Sequence, residues 1–227
     1  MGSRTYKETY WEWRGKGTLI KGRARFDWCQ KILTDCLSFD ITSLKGWLDM
    51  QKQLDHYEFK SKQEQNSNDI IFILDNFEHS ENIGSAFRIA DAFNIKKIII
   101  ISEQEIDMRK VQKTARNCEY NIDYSIYGSA EEALKEIERL KYTPINIEIT
   151  NTSVPLRDVD FANIKKVALI LGNEKHGISD KILQAVPMSC HIEMYGNNSS
   201  MNVATSLAIA AYKVSEDMFK VKKIQKE

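Results

Sequence analysis

The sequence predicts an α/β fold in which helices cover both faces of a parallel sheet. From residue 69 onward, short apolar runs rich in β-branched residues recur along the chain. Segments with apolar residues at helical spacing separate these runs. A strand buried on both faces is a continuous apolar run, and alternation of such strands with helices is typical of a parallel sheet.

The apolar runs predict six strands, and the periodic segments between them predict four helices. The strands are predicted at residues 69–75, 97–102, 121–124, 145–150, 166–172 and 190–194. The helices are predicted at residues 83–93, 108–115, 129–140 and 201–219. The third helix opens with Ser129 and Glu132, the spacing of a capping box.

Residues 1–68 differ from the rest and are predicted to form a separate N-terminal extension. Helical spacing covers residues 27–58, and the polar stretch 60–69 is typical of a linker. Basic residues outnumber acidic ones in residues 1–31, and three tryptophans lie among them. This combination suits an arm that binds RNA through phosphates and stacked bases, or alternatively a solvated arm. The candidate phosphate contacts are Lys16, Lys21, Arg23 and Arg25.

Composition excludes several classes of protein. The 227 residues carry no net charge, so no strongly basic field covers the whole molecule. No apolar run approaches the ~20 residues of a membrane helix, and the N-terminus has no apolar signal core, so we expect a cytoplasmic protein without a membrane partner. Four scattered cysteines form no CxxC pair, and we predict reduced structural thiols and no metal site.

Two loops that follow predicted strands carry polar residues where ligands of parallel sheets bind. In the first, Asn82 and Gly84 open a helix that carries Arg88. The second, LGNEKHGIS at residues 171–179, has neither a Walker motif nor a GxGxxG pattern, but Glu174 follows a strand directly. Each loop can also be an ordinary helix start or turn.

The third loop, GNNSS at residues 196–200, runs directly into the last predicted helix. Its polar residues either cap that helix or present polar groups to a ligand. Ser200 is the predicted N-cap, which places Asn202 in the first turn. One cap does not account for five polar residues, so we expect part of this loop to belong to a site.

Taken together, the segments NIGSAFRIA (82–90), LGNEKHGIS (171–179) and IEMYGNNSSMNVA (192–204) resemble the three signature motifs of the SpoU (TrmH) family of RNA ribose 2′-O-methyltransferases, within the SPOUT superfamily. Their order and separation match as well, and the resemblance covers about residues 69–219. Met201 stands where the family usually has leucine, a swap that preserves volume. Residues 1–68 resemble no domain that we recognise.

This resemblance implies that residues 69–227 form a SPOUT fold with a deep C-terminal trefoil knot, preceded by the small, mainly helical extension. It implies a homodimer with active sites completed across the interface, and S-adenosyl-L-methionine as the cofactor. The implied catalytic residues are Asn82, Arg88, Glu174, Ser200 and Asn202, and Arg88 is also an implied RNA contact. The implied cofactor contacts are Ile149, Thr150, Asn151, Leu171, Gly172, Asn173, Gly177, Ile192, Met194, Ser200 and Met201.

The expected function is therefore methylation of a ribose 2′-hydroxyl in RNA, with tRNA favoured over rRNA because no ribosomal-protein-like domain precedes the motifs. One alternative is a non-catalytic RNA-binding module on the same fold. Another is an unrelated nucleotide-binding α/β enzyme. The complete set of polar motif residues argues against the first alternative, and the lack of a phosphate-binding glycine motif argues against the second.

Overall fold

The computed structural model describes residues 69–224 of the chain. The predicted helical extension, the linker and the four basic residues Lys16, Lys21, Arg23 and Arg25 lie outside the described residues. Within residues 69–224, no helix combines the length and apolar character needed to cross a membrane.

A single parallel sheet organises the described part of the chain and confirms the predicted fold class. Its spatial strand order is β3-β2-β1-β6-β4-β7-β5, and every pairing is parallel. The strands are β1 (Ile70–Asp75), β2 (Lys97–Ile101), β3 (Asp123–Tyr127), β4 (Thr143–Ile147), β5 (Val154–Pro155), β6 (Val167–Leu171) and β7 (Ser189–His191).

Helices cover both faces of this sheet. They are α1 (Ser80–Ala92), α2 (Met108–Ala115), α3 (Ala130–Leu140), α4 (Asp180–Ala185) and α5 (Val203–Ile224), with 3-10 turns at Cys118–Tyr120 and Leu156–Asp158. Alternate residues of β1 show the two faces. Phe72 belongs to the core under α1, α2 and α5, whereas Ile73 belongs to the core under α3 and α4. Residues 70–74 of this strand are all apolar because each of their side chains is buried.

The differences from the predicted elements have physical causes. The two-residue β5 and the six-residue α4 were not predicted, since both are too short to show a period. Strand β3 extends to Tyr127, beyond the predicted end. It lies at the sheet edge and carries exposed side chains, so it lacks the continuous apolar run from which the central strands were predicted. Strands β4 and β7 end at Ile147 and His191, three residues earlier than predicted in each case.

Buried polar groups join the ends of neighbouring strands. Asp75, the last residue of β1, is fully buried, and its carboxylate accepts hydrogen bonds from the Ser179 N–H at 2.7 Å and from Asn76 Nδ2 at 2.9 Å. Strand β6 pairs with β1, so this bond ties the segment that follows β6 to the end of β1. A buried carboxylate requires such donors. The site loops therefore start from a fixed edge of the sheet.

The free thiols in the described range are structural. Cys190 is buried in the core, and burial raises the pKa of its thiol to about 12. Burial, with Asp91 next in importance, also raises the pKa of the Cys118 thiol. Both groups therefore stay neutral at physiological pH.

Gly84 in the first motif allows α1 and α2 to pack closely. A Cβ at this position would lie 2.6 Å from the Val111 carbonyl oxygen and 2.7 Å from Thr114 Cβ. We expect Gly84→Ala to lower the free energy of unfolding by ~1–3 kcal/mol, because backbone cannot yield without moving a helix. Urea unfolding measures this loss. The matched control is Gly128→Ala, whose Cβ would have no neighbour nearer than 4.0 Å. If Gly84→Ala had the same free energy of unfolding as wild type, the close approach of α1 and α2 would be contradicted.

Candidate active site

The carboxyl ends of β4, β6 and β7, together with the N-terminal ends of α1 and α5, surround a pocket of about 480 Å³. This volume lies within the ~300–1,000 Å³ that small-molecule sites usually occupy. Polar and apolar side chains both line it. The lining residues are His79, Asn82, Ile147, Glu148, Ile149, Leu171, Gly172, Asn173, Glu174, Lys175, Gly177, His191, Ile192, Met194, Ser199, Ser200, Met201, Asn202, Val203 and Ser206.

One chain of hydrogen bonds connects the three motifs at this pocket. Asn82 Nδ2 donates to Glu174 Oε1 at 2.6 Å, and Asn202 Nδ2 donates to Asn82 Oδ1 at 3.0 Å. Asn82 is buried at the start of α1, so its amide is fixed between the other two side chains. Residues separated by as many as 120 positions thus meet in one network. We call Glu174, Asn82 and Asn202 the motif triad.

Glu174 also binds the backbone at the beginning of α1. Its carboxylate accepts hydrogen bonds from the N–H of Glu78 at 2.9 Å and from the N–H of His79 at 3.2 Å. Burial alone would raise the pKa of Glu174, but the hydrogen bonds from Asn82, Glu78, Glu174's own N–H and His79 outweigh it and lower the pKa. Glu174 is therefore an anion at neutral pH that accepts hydrogen bonds, and it is a poor proton acceptor.

The lowered pKa of Glu174 predicts a stability difference that depends on pH. Its hydrogen bonds stabilise the folded state above the ordinary carboxyl pKa of 4.5, and this stabilisation is lost as the pH falls through the lower folded value. Glu174→Gln brings an amide toward N–H donors and should unfold at lower urea concentration than wild type at pH 7. We expect this difference to shrink at pH 3.5. An equal difference at both pH values would contradict the anionic assignment.

Asn202, rather than Ser200, caps the last helix. The Asn202 Oδ1 accepts hydrogen bonds from the N–H of Ala204 at 2.9 Å and of Thr205 at 3.1 Å. The prediction that Ser200 is the N-cap is therefore wrong, since α5 begins only at Val203. Asn202 has both a carbonyl and an amide, so it caps α5 with one and reaches Asn82 with the other. Ser200 is exposed and lines the pocket.

The second motif forms a tight backbone turn. The backbone groups of Asn173 and Gly177 exchange two hydrogen bonds of 2.9 Å, and Gly177 has a φ of +68°. A Cβ on Gly172 would overlap the Gly177 carbonyl carbon and the Ile178 nitrogen. The Asn173 side chain donates to the Asn76 carbonyl and accepts from the N–H groups of Lys175 and His176. Glycine at 172 is thus required for the turn that positions Glu174.

The chain after β4 contributes less to the pocket than the sequence predicted. Ile149 lines it, but Thr150 and Asn151 are not among the lining residues. The Thr150 N–H donates to Ser153 Oγ at 3.0 Å, and Ser153 Oγ donates to the Thr150 carbonyl. These hydrogen bonds form a local turn, so the N–H and carbonyl of Thr150 already have partners within it. Every other predicted cofactor contact lines the pocket.

Arg88 is the predicted catalytic residue that this chain does not bring to the pocket. It lies on α1 six residues after Asn82, about 9 Å further along the helix axis. Its side chain is exposed, and it is not among the lining residues. Helical spacing of six residues also rotates Arg88 away from the side that faces the pocket. The other four predicted catalytic residues all line it.

Sequence reasoning missed several lining residues, of which Glu148 is chemically the most important. The Glu148 carboxylate accepts hydrogen bonds from the N–H of Ile149 at 2.9 Å and of Ile178 at 3.3 Å. His191 was also missed, and its Nδ1 lies 3.0 Å from Ser153 Oγ. Both follow the usual rule for parallel sheets, because Glu148 comes directly after β4 and His191 ends β7. Position at a strand end was the available signal.

The pocket offers what a sulfonium nucleoside requires. Apolar side chains such as Leu171, Ile192 and Met201 suit a purine and a thioether chain. The carboxylates of Glu148 and Glu174 supply negative charge near a cation. The described residues contain no cluster of three or more His, Cys, Asp or Glu side chains that could hold a metal ion.

Comparison with known proteins identifies relatives over this same region. A model of the SpoU rRNA Methylase family matches residues 69–212. A tRNA (guanosine(18)-2′-O)-methyltransferase of Borreliella burgdorferi is 23% identical over 146 residues, which are 64% of this chain and 66% of that protein. The match thus spans slightly less than two thirds of that relative. The enzyme of the same name in Aquifex aeolicus is 22% identical over 66% of this chain and 70% of its own.

Solved structures share the fold. The crystal structure of the A. aeolicus TrmH/SpoU tRNA modifying enzyme aligns with a TM-score of 0.60 and 21% identity, over 69% of this chain and 79% of its own. An AdoMet-bound rRNA methyltransferase from Sinorhizobium meliloti aligns with a TM-score of 0.61 and 20% identity, over 66% and 57% of the two chains. The family model covers more than half of the sequence, including all three motifs. This chain belongs to the SpoU rRNA Methylase family.

Proposed function

We propose that this protein transfers a methyl group from S-adenosylmethionine to a ribose 2′-hydroxyl of RNA. The observation that carries the proposal is the motif triad, which three separate loops assemble at the edge of a cofactor-sized pocket. Family membership and the names of the relatives support the same reaction. No phosphate-binding glycine motif competes for the site.

The cofactor, when bound, supplies an electrophilic methyl group on a positively charged sulfur. The chain's own residues would hold it through apolar contacts from Leu171, Ile192, Met194 and Met201. Glu148 and Glu174 would favour the cationic sulfonium over the neutral product. This charge difference would help the product to leave after transfer.

The motif triad then has a positioning role. A ribose hydroxyl is a poor nucleophile, so in-line placement and removal of its proton supply much of the rate enhancement. Glu174 is held as an anion by four donors and is unsuited to take that proton. We infer that Glu174 fixes Asn82 and the start of α1, while Asn202 orients the start of α5. The Ser200 hydroxyl, exposed at the pocket, is placed to contact the ribose.

Arg88 would complete the site of a partner subunit. Its exposed position away from the pocket of its own chain supports this inference, as does the dimer that the family resemblance implies. A free guanidinium is almost never neutral. Arg88 would therefore orient a phosphate beside the ribose. The hydroxyl proton would pass to solvent water as the O–CH3 bond forms and the sulfur–CH3 bond breaks, which leaves the neutral thioether.

We also propose that the C-terminal part forms the trefoil knot of SPOUT proteins. The strand order supports it, because β6 lies between β1 and β4 and α5 returns to pack on β4 and β6. The domain division at residue 68, the RNA-binding arm and the cytoplasmic location remain predictions. Deleting residues 1–26 should weaken RNA binding and reduce its salt dependence if the arm contacts phosphates.

The experiment that tests the proposed function follows a labelled methyl group from S-adenosylmethionine to total tRNA and, separately, to ribosomal RNA. Label in tRNA alone is the expected result. Label in ribosomal RNA alone would reverse the preference for tRNA. Cofactor binding with no transfer to either RNA would favour the alternative of a binding module.

A further inference from the structure

Tyr195 is exposed to a degree that is unusual for a large aromatic side chain. It is 84% exposed, the highest value among the exposed large hydrophobic residues of the described chain. It lies in the third motif segment, where residues 195–200 are all exposed. An aromatic ring left in water forgoes the favourable free energy that its burial would give.

The hydroxyl of Tyr195 is tied down although its ring is free. Arg157 Nη1 donates to Tyr195 Oη at 2.8 Å and forms an ion pair with Glu193 Oε2, also at 2.8 Å. Arg157 belongs to the 3-10 turn Leu156–Asp158, which the buried Leu156 anchors in the core. The protein therefore holds the hydroxyl of the tyrosine while most of the side chain remains exposed to solvent.

The position of Tyr195 relative to the pocket indicates what the ring could contact. The preceding residue, Met194, lines the pocket, and the chain returns to the pocket at Ser199. Tyr195 thus belongs to the exposed segment that joins two lining stretches, directly next to the lining residue Met194. An RNA whose ribose enters the pocket has neighbouring nucleobases outside it, within reach of such a segment.

We propose that Tyr195 is a substrate-binding residue that stacks on a nucleobase of the RNA next to the reacting ribose, with Arg157 as its positioning residue. This inference rests on the proposed function. A ring fixed in advance loses little conformational entropy when a base stacks on it, and stacking tolerates any base because each has a π face. Tyr195 would therefore strengthen RNA binding without reading its sequence.

The test compares Tyr195→Ala, Tyr195→Phe and Tyr120→Ala in the full-length protein. Tyr120 is a matched control, since it is 73% exposed but belongs to the 3-10 turn before the edge strand β3. We expect Tyr195→Ala to lower kcat/KM for tRNA about 5- to 150-fold, mainly through KM. Tyr195→Phe keeps the ring and should lose at most a few-fold. Tyr120→Ala should match wild type.

Three further measurements separate stacking from other roles. S-adenosylmethionine affinity and the molecular mass in solution should be the same for wild type and Tyr195→Ala. Weaker cofactor binding or loss of a dimer would overturn the proposal in favour of a structural role, as would wild-type RNA kinetics in Tyr195→Ala. Filter binding of tRNA gives an answer even if no methyl group is transferred. Weaker binding by Tyr195→Ala would then support stacking although the proposed reaction had failed.

Discussion

Arg88→Ala is expected to lower the rate of methyl transfer to RNA by about 10²-fold or more, because the ribose loses its placement, while S-adenosylmethionine affinity stays unchanged. Arg88 is exposed and does not line the pocket of its own chain, so its removal should disturb neither the fold nor the cofactor site. Single-turnover kinetics measure the rate, and calorimetric titration measures the affinity. Near-normal turnover would remove Arg88 from the mechanism.

Mixing two inactive variants tests whether Arg88 acts across a dimer. A mixed dimer of Arg88→Ala and Glu174→Ala has two shared sites. One site combines the intact Glu174 of the first subunit with the intact Arg88 of the second, and the other site has both residues replaced. If subunits reassort randomly, activity should recover to about a quarter of wild type, since half of the dimers are mixed and each has one complete site. If Arg88 serves its own subunit's pocket, the mixture stays inactive. Arg88→Ala mixed with itself is the control.

Gly172→Ala is expected to abolish cofactor binding. The added Cβ would overlap the backbone of Gly177 and Ile178, so the turn that connects β6 to Glu174 must open. Backbone cannot yield as a flexible side chain can, and we expect a loss of stability of ~1–3 kcal/mol in addition to the loss of binding. Calorimetric titration with S-adenosylmethionine and thermal unfolding measure the two effects.

The matched control for Gly172→Ala is Gly196→Ala in the third motif segment. A Cβ at Gly196 would meet no atom within 4 Å, and its φ lies outside the left-handed region. This variant should bind the cofactor as wild type does. If Gly172→Ala also bound it normally, the tight turn would not be a requirement of the site.

The elements that could be predicted from sequence are those that the core determines. Strands β1 and β6 are buried on both faces, so they appear as uninterrupted apolar runs, as does β2 after Lys97. The edge strand β3 was misplaced because exposed side chains such as Ile126 follow no simple pattern. Two-residue pairings such as β5 depend on tertiary contacts, and no local signal specifies them.

The residues of the site could be predicted where they belong to compact sequence motifs. Their roles could not be predicted where these depend on tertiary hydrogen bonds. The motifs indicated Asn82, Glu174 and Asn202, but the sequence does not show that Asn202 caps α5 or that Glu174 accepts hydrogen bonds from the start of α1. Thr150 was assigned to the pocket from the family resemblance, whereas its backbone is engaged in a local turn. Glu148 directly follows β4 and was missed.

The measurement that tests the central claim most directly locates the transferred methyl group within the RNA. RNA labelled by the wild-type enzyme is digested in alkali, which cleaves only next to a free 2′-hydroxyl. Methylation of ribose predicts label in alkali-resistant dinucleotides, and Arg88→Ala should give about 10²-fold less of it in the same time. Label confined to mononucleotides would mean that a base is methylated, and it would contradict the proposed reaction.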